Sequence, residues 1–206
     1  MNQELAEAKR MLRADMRRRR RMLGRPEREQ EATAAAATLA RIITALSEDD
    51  LPRPVASYMA TPEEIDLHLV HQAEWDAGRP VWLPRIQGPR RLEWYAVHHP
   101  DQVRIGTLNL CEPDPEAVTP STLPPGVVLL VPGVAYGADG RRLGMGGGFY
   151  DRVLLNLIGI SIGVGFSCQR ADDLPVEPHD LPCAAVVLGG EILCRPEDLR
   201  HLFDQR

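Results

Sequence analysis

The chain has 206 residues, 44% hydrophobic and 26% charged, with a formal net charge of −5, which excludes disordered and fibrous chains and leaves enough length to bury a core unaided by disulfides or metal. No apolar run approaches the roughly 20 residues of a membrane span. The first residues, MNQELAEAKRML, have no apolar signal region, and Cys111, Cys168, Cys183 and Cys194 form no C-x-x-C, so a reduced cytoplasmic chain is expected.

The first predicted element is a helix over 3–23, with Leu5, Ala8, Leu12, Met16 and Leu23 at helical spacing. Residues 1–28 hold ten Lys or Arg against four acids, a local +6 that leaves the remainder at −11. An acidic body with one basic helix argues against general nucleic-acid binding and for a local anion site. The Arg17–Arg21 run reads as a solvated helix face. Lys9 is the sole lysine among 24 basic residues. It is either the leftover surface lysine of an arginine-rich chain or a compact charge suited to one phosphate oxygen.

Gly24 ends this helix and Pro26 opens the next, about 27–46, with Ala32, Ala35, Ala36, Leu39, Ile42, Ile43 and Leu46 on one face. The two are expected to form an antiparallel hairpin, 1–47. Val55–Met59 then reads as a strand. Thr61-Pro62-Glu63-Glu64 reads as a helix start with Thr61 as N-cap and Glu64 closing a capping box, the helix running to Gly78. Pro80–Leu83 and Arg91–Val97 are further strands, and 98–126, rich in Pro, Asp and Glu, is a long excursion. Val127–Val131, Ile160–Val164 and Ala184–Leu188 are unalternated apolar runs, the mark of strands buried on both faces. The expected fold is therefore a three-layer α/β domain: a mostly parallel sheet with helices on both faces, behind an N-terminal helical hairpin.

The segment VVLLVPGVAYGADGRRLGMGGGFYDR, Val127–Arg152, carries the chemistry. A buried strand leads into a loop turned at Asp139-Gly140, two arginines, a glycine cluster and a helix from about Gly148. Gly144, Gly146, Gly147 and Gly148 uncover successive backbone amides that can face one anion. Arg141 and Arg142 add phosphate contacts, and Asp151, one turn into the helix, is placed to hold Mg²⁺. By spacing alone, a phosphate site and a tight packing turn both remain open. Neither the Walker motif nor G-x-G-x-x-G is satisfied.

Arg142–Arg152 (RLGMGGGFYDR), led by VPGVAYGADG, closely resembles the signature of the 5-formyltetrahydrofolate cyclo-ligase family. Lys9–Arg13, Tyr58–Asp66, Leu83–Arg85 and Leu174–Asp180 resemble other family segments, so the resemblance spans nearly the whole chain, 1–206, as one domain. It implies ATP- and Mg²⁺-dependent closure of 5-formyltetrahydrofolate to 5,10-methenyltetrahydrofolate through a phosphorylated formyl group, with release of ADP and phosphate. By the same resemblance, Lys9, Arg10, Arg13, Arg142, Leu143, Gly144, Met145, Gly146, Gly147, Gly148, Phe149 and Tyr150 bind ATP, Lys9 and Arg142 serve catalysis, and Asp151 holds the metal. Met59, Glu64 and the Met145–Phe149 backbone meet the folate. A monomer with no membrane or nucleic-acid partner is expected.

Met145 and Gly147 stand where some members carry basic or aromatic residues, which shifts phosphate charge onto Arg142 and Lys9. Phe149 replaces a common Tyr. Glu177 and Asp180, in a Pro-rich acidic loop, read as solvated, with a contact from either to the metal left open. His98, His99 and His179 read as surface or packing residues, and Cys168 as core. Alternatives of other classes are a nucleotide- or folate-binding protein without turnover and an RNA-associated protein using the arginine run.

Overall fold

The computed structural model describes residues 3–47, 51–88, 90–106, 110–175, 177 and 180–193. The chain runs through α1 (Gln3–Met22), α2 (Arg25–Ala45), β1 (Val55–Ala56), α3 (His68–Asp76), β2 (Val81–Ile86) and β3 (Leu92–Val97). It continues with β4 (Val103–Ile105), β5 (Cys111–Pro113), β6 (Pro120–Ser121), β7 (Val127–Pro132), β8 (Ala135–Tyr136) and β9 (Arg142–Leu143). It closes with α4 (Phe149–Leu155), β10 (Gly159–Gly165), β11 (Ala185–Leu188) and β12 (Glu191–Leu193). Val176, Pro178, His179 and Cys194 lie outside the described residues.

The apolar runs become the centre of an eight-stranded sheet ordered β12-β11-β10-β7-β1-β2-β3-β6. From β11 to β2 every pairing is parallel; β12, β3 and β6 are antiparallel additions at the edges. Alternation along the strands sends side chains to opposite faces. Val128, Leu130, Ile162, Val164 and Val187 pack with Leu39, Ile42 and Ile43 of α2 and Val70 of α3. Val127, Leu129 and Val131 pack on the other side with Val153 and Leu154 of α4. The three-layer α/β expectation holds, with helices on both faces of a mostly parallel sheet.

Several local expectations differ. The segment 61–64 is a turn, and α3 begins only at His68. The Glu64 carboxylate does accept from the Thr61 amide (2.9 Å) and hydroxyl (3.0 Å), yet Ile65 and Leu67 are pulled into the core at 1% and 0% exposure. Their burial overrides the helical propensity that the capping box signals. The strand predicted over Val55–Met59 stops at Ala56, so Tyr58 and Met59 leave the sheet at its carboxyl edge. The strand at Pro80–Leu83 extends to Ile86 and pairs antiparallel with β3. Pro84 lies past the two-residue β1, where that side of β2 has no ladder to break.

The first helix buries part of the face its apolar residues mark, with charged residues added to it. Its buried residues are Lys9, Met16 and Arg20, and Ala8 is exposed. α1 packs across the strand ends against Val134, Ala135, Leu143 and Ala171, through Leu12 and Met16, where neighbouring groups are partly polar. The arginine run is solvated only in part. Arg18 and Arg19 pair with Asp15 on the outside, but Arg20 is 1% exposed and reaches Glu63 at 3.4 Å, which Arg21 also holds at 2.7 Å. Arg28 of α2 donates to the Arg20 and Leu23 carbonyls and stacks 5.0 Å from the Phe166 ring centroid, closing the end of α1.

Tyr136 ties the strand ends together. Its hydroxyl lies 2.8 Å from both the Val131 and Val164 carbonyls, at the ends of β7 and β10. Only a residue without a side chain fits beneath the ring at Gly163, where a Cβ would stand 2.6 Å from Tyr136 Cε1.

Candidate functional site

The phosphate-type loop emerges at the carboxyl end of β7, the usual ligand position of an open α/β sheet. After Pro132 the chain forms the β8–β9 hairpin, turned at Asp139-Gly140 with Gly140 at φ +82°. β9 returns Arg142 and Leu143, and the glycines follow. Gly146 (φ +100°) and Gly148 (φ +64°) adopt the left-handed conformations that let the loop double back before α4. That helix is only seven residues long, so the loop amides and nearby cations, more than a helix dipole, define the anion environment. α1 clamps the loop: Arg13 Nε donates to the Gly144 carbonyl at 2.9 Å, and an Arg17 guanidinium N–H approaches Met145 Sδ at 3.4 Å.

Together these elements bound a cavity of about 1180 Å³. Lys9 enters from α1, Tyr58, Met59, Thr61 and Glu64 from the turn after β1, and Gly144–Asp151 from the loop and α4. Lys9 is 7% exposed, and its Nζ lies 2.7 Å from both Glu177 Oε2 and Asp180 Oδ2. Burial opposes its charge, but hydrogen bonds and charge from Asp180 and Glu177 outweigh this and hold its pKa above the ordinary lysine value. Arg142 is 6% exposed and donates to Asp151 Oδ1 at 2.6 Å. Its Nε is buried with no hydrogen-bond partner among the described residues.

This arrangement fits a phosphate group. A cradle of glycine amides, an orphaned buried guanidinium N–H and a buried ammonium share one cavity wall. It also fits a magnesium ion at Asp151, a carboxylate that would share the ion with phosphate oxygens and waters. Among the described residues, no three His, Cys, Asp or Glu side chains form a ready metal cluster. The Glu64 bonds to Thr61 both fall on Oε2, so its turn-stabilising role leaves the other oxygen without a bond to a described residue.

Every sequence-predicted site residue lines this cavity except two: Arg10, on the exposed side of α1 paired with Glu7, and Arg141, exposed at the hairpin turn and paired with Asp139. Sequence reasoning missed Glu177 and Asp180: they are not solvated but clasp Lys9, at 15% and 18% side-chain exposure. Their signal was an acidic pair facing a chain with a single lysine. It also missed Tyr58, whose buried hydroxyl donates to the Ile65 carbonyl at 3.2 Å, and Glu112, 2% exposed in the wall. Neither Cys168 nor Cys183 is a poised nucleophile: burial raises the Cys168 thiol and pushes Cys183 up to about 11. His98 and His99 are exposed, as read. No described helix is long and apolar enough to cross a membrane.

A model of the 5-formyltetrahydrofolate cyclo-ligase family matches residues 5–189. The 5-formyltetrahydrofolate cyclo-ligase of Escherichia coli K12 is 34% identical over 182 residues, 86% of this chain and 98% of its own length. That of Haemophilus influenzae is 30% identical over 149 residues, 70% of this chain and 80% of its own. The NMR structure of Aquifex aeolicus 5,10-methenyltetrahydrofolate synthetase superposes with a TM-score of 0.72 at 27% identity, covering 89% of this chain and 91% of that one.

Proposed function

The chain belongs to the 5-formyltetrahydrofolate cyclo-ligase family, and from that premise we propose that it closes 5-formyltetrahydrofolate to 5,10-methenyltetrahydrofolate in an ATP- and Mg²⁺-dependent reaction. ATP would supply the phosphoryl group that turns the formyl oxygen into a leaving group, Mg²⁺ the neutralising charge; N10 then attacks the formyl carbon, and phosphate leaves alongside ADP.

The chain itself is left with positioning and charge. The Gly144–Gly148 amides, Arg13, Arg142 and the Leu143–Tyr150 backbone hold the triphosphate, and Arg10, turned away from the cavity, takes no part. Lys9 and Arg142 act on the transferring phosphoryl group, where fixed charges in a dry site stabilise most. Glu177 and Asp180 aim the ammonium, and Asp151 takes the metal. Met59, Glu64 and the Met145–Phe149 backbone hold the folate. On this reading residues 1–206 are one cyclo-ligase-like domain, and α1 brings Lys9 and Arg13 over the loop; it lies on the strand ends while α2 packs on the sheet, so the two helices do not pair as the expected antiparallel hairpin. The protein would work as a cytoplasmic monomer.

The observation that carries the proposal is the sole lysine of the chain, buried in the same wall as an Arg142 whose Nε has no hydrogen-bond partner among the described residues. Mixing protein, ATP, Mg²⁺ and 5-formyltetrahydrofolate should raise methenyltetrahydrofolate absorbance, and omitting either ATP or Mg²⁺ should abolish it. Tight binding of nucleotide or folate with no absorbance growth would replace the enzyme by a non-catalytic binding protein.

A further inference from the structure

The methionines of α1 sort simply: Met16 is buried against the strand ends, and Met11 and Met22 are exposed. Met145 is different. It stands inside the glycine loop, lines the large cavity and is still 53% exposed. Arg17 Nη2 reaches its Sδ at 3.4 Å. Nε, the other donor on that edge of the guanidinium, is buried with no hydrogen-bond partner among the described residues. Such an edge suits an oxygen acceptor held by two N–H groups, whereas a thioether sulfur accepts only weakly. Other arginines of the chain find oxygen there: Arg21 holds Glu63 Oε1 through Nε and Nη2 at 3.0 and 2.7 Å, and Arg79 holds Glu74 at 2.7 and 3.0 Å. Arg17 therefore presses a half-empty fork against the one sulfur of the loop.

We infer that Met145 is a redox modification site: a peroxide converts it to the sulfoxide, and Arg17 captures the new oxygen. A sulfur lone pair attacks hydrogen peroxide, and the S–O bond forms as the O–O bond breaks. The proton shed by the bound oxygen turns the departing hydroxide into water. One thioether and one peroxide thus give one sulfoxide and one water, the sulfur losing the two electrons that the peroxide gains. The sulfoxide oxygen is a strong acceptor on a side chain already in contact with the fork, and it takes Nη2–H and Nε–H together. Oxidation thereby staples the glycine loop to α1 and brings a polar oxygen to the wall that faces the triphosphate. Resting on the nucleotide reading of that loop, the oxidised chain binds ATP weakly, and a methionine sulfoxide reductase restores it. Met11 and Met22 line no part of the cavity, so their oxidation is silent.

The test treats wild type, Met145→Leu, Arg17→Ala and Met22→Leu with hydrogen peroxide and locates the sulfoxides by peptide mass. Hydrogen exchange of the 143–148 amides and KM for ATP are then read for each protein against its own untreated sample. A hydrogen bond from a charged donor is worth roughly tenfold or more, so oxidised wild type should exchange its loop amides about tenfold more slowly and show a KM for ATP raised on the order of tenfold. Met22→Leu should respond as wild type does, and Met145→Leu and Arg17→Ala should show neither change. Methionine sulfoxide reductase with a thiol should reverse both effects, and dithiothreitol alone should reverse neither. Recovery with dithiothreitol alone would assign the loss to Cys111, exposed in the same wall, and overturn the inference. A full response in Met145→Leu, or loop exchange unchanged by an oxidised Met145, would overturn it too. Slowed loop exchange in a protein that never turns over would sink the proposed reaction and leave the site standing; turnover untouched by an oxidised Met145 would do the reverse.

Discussion

Replacing Lys9 by methionine removes one ammonium from between two carboxylates, and the structure sets the size of the effect. Nζ lies 2.7 Å from each of Glu177 and Asp180, and the three side chains are only 8%, 15% and 18% exposed. Breaking a fully buried pair costs about 3–5 kcal/mol. The two carboxylates here keep some contact with water, so about 2 kcal/mol is expected, or a fall of roughly 4–8 °C in Tm for a chain of this size. Because its pKa is raised in the fold, the Lys9 contribution is fully present below the ordinary lysine value and lost only as pH rises through the elevated one. Across pH 6–8 it is therefore constant.

Turnover should fall far more, on the order of 10²-fold for one oriented charge at the reacting group. Lys9→Arg separates the two effects. A guanidinium keeps the charge and most of the stability, but it is wider and planar, so it should lower kcat while leaving KM for ATP nearly unchanged. The assay is kcat and KM for wild type, Lys9→Arg and Lys9→Met, with urea midpoints in parallel. Full kcat in Lys9→Arg, or a Lys9→Met that loses stability but stays within about twofold in kcat, would reduce Lys9 to a structural ion pair.

Asp151→Asn should cut turnover on the order of 10²-fold and move stability by less than about 1 kcal/mol, since Asp151 is 24% exposed in its pair with Arg142; undiminished activity at limiting Mg²⁺ would remove its metal role. Burial lowers His71 from 6.5 to about 4, so the unfolded chain takes up its proton first as pH falls, and stability is lost between about pH 6.5 and 4. That loss amounts to about 3 kcal/mol in urea melts. His71→Gln, which can still meet the Ser57 hydroxyl now 2.8 Å from Nε2, should flatten that stretch; parallel curves would refute it. Gly163→Ala forces a Cβ to within 2.6 Å of the Tyr136 ring and should destabilise by about 1–3 kcal/mol, an expectation that an unchanged urea midpoint would end.

What could be read in the chain was whatever depends on neighbours in sequence. The run Val127–Val131 announces a central strand because both its faces are buried, and the glycine loop announces itself by composition. What stayed hidden depends on distant packing. The place of Lys9 in the cavity wall was legible, but the Glu177 and Asp180 carboxylates that clasp it there were not. Arg20 was indistinguishable from its solvated neighbours in the same run, and Glu177 and Asp180 from any acidic loop. At Thr61–Glu64 the local signal was present and its bonds do form, but the core takes Ile65 and Leu67 first.

The clasp on Lys9 joins positions 168 and 171 residues apart, which has a meaning for biosynthesis. At about 5–20 residues per second, a ribosome spends roughly ten to thirty seconds between making Lys9 and making its partners. Until Val134 and Ala135 follow, α1 is a basic helix without its apolar docking surface, and the sheet can gather β1, β2 and β7 without it. Contacts of such separation close late in folding, and a helix held at the strand ends by a small apolar cluster and ion pairs is the kind of unit that opens locally below the global transition. A mature molecule warmed below its melting point therefore sheds α1 before it sheds any central strand, and it falls silent as a catalyst while most of its architecture still stands.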